Sequence, residues 1–190
     1  NFKQITVIFN DVDINNSLLK LQEIPNEDFK KKIKKERIDE IVAFLLKINS
    51  IDKFRAVEIY KQIDNNILKE KIAFATIDRI GQNLSSLCKI DKAKTNNILN
   101  SISLSTLLSK LEVCSFRDFC SVLIEIKPID NNRISKKLYN TIKQENLSIK
   151  IAKASFKEFC NGIIKLSKID ASYTKTILNK IDVSYLTKKL

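Results

Sequence analysis

The chain has 190 residues, of which 44% are hydrophobic and 29% charged, with two glycines, two prolines, no histidine and a net charge of +12. This composition is globular rather than disordered, and it has too few turn formers for a many-stranded β protein. Lysine or glutamate interrupts every apolar stretch short of a membrane span, and without histidine the Ser-His-Asp and Cys-His devices cannot be built.

Residues 1–12 carry no basic region followed by an apolar block, so no signal peptide is read there. The chain begins at Asn1 rather than Met, and the expectation is a piece of a longer protein. A hydrophobic-Asp pair then recurs as Val12-Asp13, Ile51-Asp52, Ile90-Asp91, Ile129-Asp130 and Ile169-Asp170, at intervals of 39, 39, 39 and 40 residues. Such regularity predicts a single array over 1–190, with units at about 1–33, 34–72, 73–111, 112–151 and 152–190. It argues for an extended surface and against a pocket enzyme.

Each unit contains three helical patterns. The first has apolar columns at steps of three and four residues: Ile38, Ile77, Phe116, Phe156; Ile41, Ile80, Phe119, Phe159; Leu45, Leu84, Leu123, Ile163; Ile48, Leu87, Ile126, Leu166. Thr76, Ser115 and Ser155 precede this stripe as N-caps, and Ser155 with Glu158 has capping-box spacing. The aspartate of each pair then opens the second helix, where its carboxylate accepts freed backbone N–H groups and suits the positive helix start. A metal ladder is the alternative reading of that column, and capping needs nothing else. The second helix buries Tyr60, Leu99, Tyr139 and Leu178, then Ile63, Ile102, Ile142 and Ile181.

A break follows at Pro25, Asn65-Asn66, Ser103, Glu145-Asn146 and Asp182. The third pattern is a short helix with Phe29, Leu68, Leu107, Leu147 and Leu186 inward, ending at Ile33, Ile72, Leu111, Ile151 and Leu190. The extra residue of the fourth unit falls between Asp130 and Leu138, as a loop or cap insertion. Gly81 and Gly162 lie in first-helix stripes, where close helix packing is the simplest reading.

Three helices per roughly 40 residues resemble the armadillo and HEAT class of repeats. The resemblance implies an all-α, right-handed α-solenoid of about five stacked units, each with two longer helices and one short helix. The texture also resembles the helical-repeat arm of STAND-type NTPases, which implies a recognition arm of a signalling or defence protein.

Cys88, Cys114, Cys120 and Cys160 have no short metal or redox spacing. They read as buried, reduced thiols of an intracellular, cytoplasmic protein. No catalytic residue, metal site or cofactor is expected. One column is neither core nor cap: Lys32, Lys71, Lys110, Lys150 and Lys189, one residue before each terminal Ile or Leu. It reads either as lysine complementing a helix C-terminus or as a row tracking phosphates or carboxylates. The run Lys30, Lys31, Lys32, Lys34 and Lys35 is the densest basic patch and reads as a hydrated hinge, an address or a phosphate clamp. These nine lysines are the candidate partner-binding residues. The leading expectation is a non-enzymatic scaffold for a protein or peptide partner. The alternatives are nonspecific binding to a nucleic-acid backbone, which must weaken steeply with salt, and a plain spacer, which predicts no clustered exposed apolar patch.

Overall fold

The structure is a computed structural model that describes residues 33–181. Lys30, Lys31, Lys32 and Lys189 lie outside the described residues, as do Asp13, Phe29, Leu186 and Leu190. The described chain is all-α: after helical residues 33–35 come α1 (Ile38–Ile51), α2 (Lys53–Gln62), α3 (Asn65–Phe74), α4 (Ile77–Cys88), α5 (Lys92–Ser101), α6 (Leu104–Val113), α7 (Phe116–Ile126), α8 (Arg133–Thr141), α9 (Gln144–Lys153), α10 (Phe156–Ser167) and α11 (Ala171–Leu178). No strand occurs among the described residues, and none of their helices is long and apolar enough to cross a membrane.

The first-pattern helices α1, α4, α7 and α10 each pack on the next. The third-pattern helices α3 and α6 pack on the second-pattern helices α5 and α8 of the following unit. Burial therefore crosses unit boundaries, as it must when a unit of this size cannot cover its own apolar stripe. Ile41, Ile80 and Phe119, with Leu45, Leu84 and Leu123, are fully buried, and so are Tyr60, Leu99 and Tyr139. Two expected core positions differ: Phe156 and Leu178 are 36% and 37% exposed.

Capping explains where the second helices begin. Asp52, Asp91 and Asp170 accept from the backbone N–H of Arg55, Lys94 and Tyr173 at 2.9–3.0 Å. Asp130 accepts instead from Ile134, four residues on, at 2.8 Å, because Asn131 and Asn132 both turn through positive φ (57° and 72°). The inserted residue is thus absorbed by two left-handed asparagines, the residue type that tolerates this region best after glycine. Ser115 caps α7, and Ser155 with Glu158 completes a capping box on α10. Thr76 departs from the expectation: it holds the N-cap position of α4 without a side-chain cap bond. Its hydroxyl serves the Asp78 carboxyl instead and is the largest cause of that group's lowered pKa.

The third helix also differs from the expected short segment. At 10 residues α3, α6 and α9 match or exceed the second helices. Asp64 and Ser103 cap α3 and α6, so the residues read as a break form the first helical turn. With no breaker after Ile72, Leu111 or Ile151, each helix also runs two residues further.

A second recurring column stands four residues after each aspartate, or five in the inserted unit: Ala56, Thr95, Ser135 and Thr174, all at most 2% exposed. Small residues here let the second helix approach its neighbours. The Thr95 and Thr174 hydroxyls donate to the Asp91 and Asp170 carbonyls at 2.7 Å. They thereby accept from the Tyr60 and Tyr139 hydroxyls of the preceding units at 3.0 Å. Where the preceding residue is Leu99, Ser135 turns to the Leu123 carbonyl at 2.9 Å.

Both glycines sit at close approaches between first helices. A Cβ on Gly81 would collide with Glu125 Oε2 and lie 2.9 Å from Val122 Cγ2. One on Gly162 would meet the Phe116 ring, with Cζ at 2.8 Å, and Cys120 Sγ at 3.0 Å. Since Phe116 is itself buried, it has nowhere to move. Gly162→Ala gains helix propensity of about 1 kcal/mol but overpacks by more, so a net loss of about 1–2 kcal/mol is expected in urea unfolding. An unchanged midpoint would refute the packing role.

Glu125 provides a pH test. Its Oε2 is buried without a hydrogen-bond partner, and burial is the main cause of its raised pKa; Asp78 and Asp118 add to the rise and Lys165 opposes it. The folded chain therefore holds this proton more tightly than the unfolded chain. That stabilisation is full below the ordinary carboxylate range and is lost as pH rises through the folded pKa. Glu125→Gln is accordingly expected to unfold at higher denaturant than the parent at neutral pH, with the gap closing on acidification. A gap independent of pH would contradict this.

Candidate functional site

The lysine column has a defined geometry. Lys71 Nζ donates to the Lys34 carbonyl at 3.1 Å and the Glu36 carbonyl at 2.6 Å. Lys110 Nζ donates to the Ala75 carbonyl at 2.9 Å. Lys150 Nζ donates to the Glu112 carbonyl at 2.9 Å and also to that of Cys114. For Lys110 and Lys150 the acceptors are carbonyls at the C-terminal end of the preceding unit's third helix. Those carbonyls have no intrahelical donors and carry the negative end of the helix dipole. The ammonium groups thus face neither an open groove nor carboxylates. Lys150 is only 6% exposed.

Related contacts occur at the other helix ends. Lys94 Nζ reaches the Lys61 and Ile63 carbonyls after α2 at 3.1 and 2.5 Å, and stands 5.2 Å from the Tyr60 ring centroid. Its partial burial lowers its pKa, chiefly by desolvation. At the end of α10, Lys127 Nζ and Asn132 Nδ2 donate to the Lys168 and Ile169 carbonyls at 2.7 and 2.8 Å. Lys34 and Lys35 are exposed on the solvent side of the chain. The structure therefore brings Lys71, Lys110 and Lys150 into related contacts, in which Lys34 takes part through its backbone carbonyl while the Lys34 and Lys35 residues are exposed.

Sequence reasoning passed over a groove between α6 and α9. It has a volume of about 420 Å³, with Val113, Phe116 and Ile149 on its apolar side and Arg117, Lys150 and Lys153 as its cations. Val113 and Ile149 are 86% and 53% exposed. A signal existed: Phe74 and Val113 occupy equivalent places at the ends of α3 and α6, and Phe74 is also highly exposed. Both lie just beyond the residue where the third pattern was taken to end, and so were not read as a surface column.

The cysteines are free thiols, with Cys120 buried and Cys88, Cys114 and Cys160 partly so. Burial raises the Cys88 and Cys120 thiol pKa and pushes Cys114 up to about 11, the opposite of an activated nucleophile. Among the described residues no group of three or more His, Cys, Asp or Glu is arranged to hold a metal ion.

The lysine geometry predicts a stability effect rather than a surface effect. Lys150→Met removes charge-assisted bonds to two part-buried carbonyls and should cost about 1.5–3 kcal/mol, whereas Lys153→Met, an exposed neighbour, should change unfolding by less than about 0.5 kcal/mol. Equal effects in parallel denaturant titrations would refute the assignment.

Comparison with known proteins finds no matching family model, no matching curated protein and no matching solved structure, so the chain is placed by its own geometry alone.

Proposed function

We propose that the chain is a non-enzymatic binding scaffold. In this reading its roughly 39-residue units stack as a right-handed α-solenoid of the armadillo and HEAT class and present an extended surface to a protein or peptide partner. An intracellular setting and a place as the recognition arm of a larger signalling or defence protein belong to the same proposal.

The observation that supports it is the pair of exposed apolar side chains, Val113 and Ile149, that share one groove. Exposed apolar side chains gathered beside polar ones are a mark of an interaction site, and a plain spacer has no use for them. The lysine geometry weighs against the nucleic-acid alternative. A row meant to track phosphates would keep its ammonium groups available, whereas Lys71, Lys110 and Lys150 donate to backbone carbonyls.

Two measurements test the proposal. Proteins recovered with the tagged full chain should be lost when Val113→Asp is combined with Ile149→Asp and kept with Phe54→Asp, an apolar residue exposed elsewhere. Recovery unaffected by the double change would remove the groove from the reading. In filter binding with single-stranded RNA, tight retention that falls steeply as salt rises would favour the phosphate-binding alternative instead.

A further inference from the structure

The groove between α6 and α9 contains more than an apolar patch. Arg117 stands at its α7 side and Lys153 at the end of α9; both are exposed, and neither is held in an ion pair. Lys150 lies buried beneath, with two of its three ammonium donors spent on the Glu112 and Cys114 carbonyls. Two carboxylates also line the groove. Glu158 is engaged with the Ser155 hydroxyl and N–H at the start of its own helix, and Glu112 is exposed at the rim. Two exposed, uncommitted cations, Arg117 and Lys153, therefore stand with one uncommitted acid beside the exposed Val113 and Ile149.

We propose that this groove binds an acidic peptide segment whose aspartate or glutamate side chains meet Arg117 and Lys153 while a neighbouring leucine or phenylalanine covers Val113 and Ile149. The inference rests on the scaffold reading above and specifies its partner chemistry. Charge complementarity selects the partner: an apolar segment alone leaves the cations unpaired, and a polynucleotide leaves the apolar side uncovered.

The equivalent place one unit earlier provides an internal comparison. There Phe74 stands where Val113 does, Asp78 where Arg117 does and Val113 where Lys153 does. An acidic segment is repelled at that position by Asp78 and finds neither exposed cation. The preference is therefore local to the α6–α9 groove and is not a general effect of the net charge.

The test uses the full 190-residue chain and a fluorescein-labelled peptide alternating aspartate with leucine and phenylalanine, with an asparagine-for-aspartate peptide as control. The acidic peptide should bind at least about tenfold tighter than the control by anisotropy, and Arg117→Glu with Lys153→Glu should weaken it by about tenfold or more. Ile149→Asp should weaken both peptides, and Phe74→Asp neither. If the double charge variant does not fold, by circular dichroism, Lys153→Ala serves in its place, with an expected loss of about threefold.

Equal affinity for the two peptides, or affinity indifferent to Arg117 and Lys153, overturns the proposal. So does self-association of the chain through this groove in sedimentation, or displacement of the peptide by single-stranded RNA without loss in the Ile149→Asp variant. If neither peptide binds while partner recovery still depends on Val113 and Ile149, the acidic specificity fails and the scaffold reading stands. If both fail, the scaffold reading falls with it.

Discussion

The donation of lysine ammonium groups to the carbonyl ends of helices in a neighbouring unit is the interaction on which this fold depends. Helices of about ten residues leave a large share of their carbonyls without an intrahelical donor, and here those ends lie inside an array, where solvent reaches them only in part. Lys110 and Lys150 close the third helices, Lys94 closes α2, and Lys127 with Asn132 closes α10. An ammonium suits each place because it adds charge complementarity to the hydrogen bond. Its flexible stem also spans the gap from one unit to the next. Part of the net positive charge is therefore structural, spent within the molecule.

The aspartate caps, the first-helix stripes and the all-α class were legible in the sequence because each is set by residues within one or two turns. The function of the lysines was not, for the contact partner of Lys150 lies 36–38 residues away. Periodicity marks a recurring position without saying what it touches. The buried column Ala56, Thr95, Ser135 and Thr174 was equally recurrent but escaped notice, since small polar residues on a helix read as neutral surface. Phe156 and Leu178 show the opposite error: apolar identity at a core register does not by itself ensure burial, for they are 36% and 37% exposed. The groove at Val113 was missed for a boundary reason, two residues of helix beyond the expected end.

The structure separates two kinds of cation that the sequence presents alike. Lys71, Lys110 and Lys150 hold units together, while Arg117 and Lys153 stand unpaired beside exposed apolar side chains. Only the second kind is uncommitted, and it stands where the preceding unit has Asp78 and Val113. The recurring positions build the helical framework, and residues that vary between units give this groove its character.

The alternation of Tyr60 and Tyr139 with Leu99 has a consequence for how such an array can change length. Tyr60 is matched to Thr95 and Tyr139 to Thr174, whereas Leu99 is followed by Ser135 turned toward Leu123. Excising residues 73–111 would bring Tyr60 opposite Ser135, whose hydroxyl is committed elsewhere, and strand a buried phenol. Excising two would bring Tyr60 opposite Thr174 and restore the pair. Excising residues 112–151 instead would set Leu99 opposite Thr174 and strand no phenol, so the units are not interchangeable parts and the cost of a change in length depends on which unit is lost.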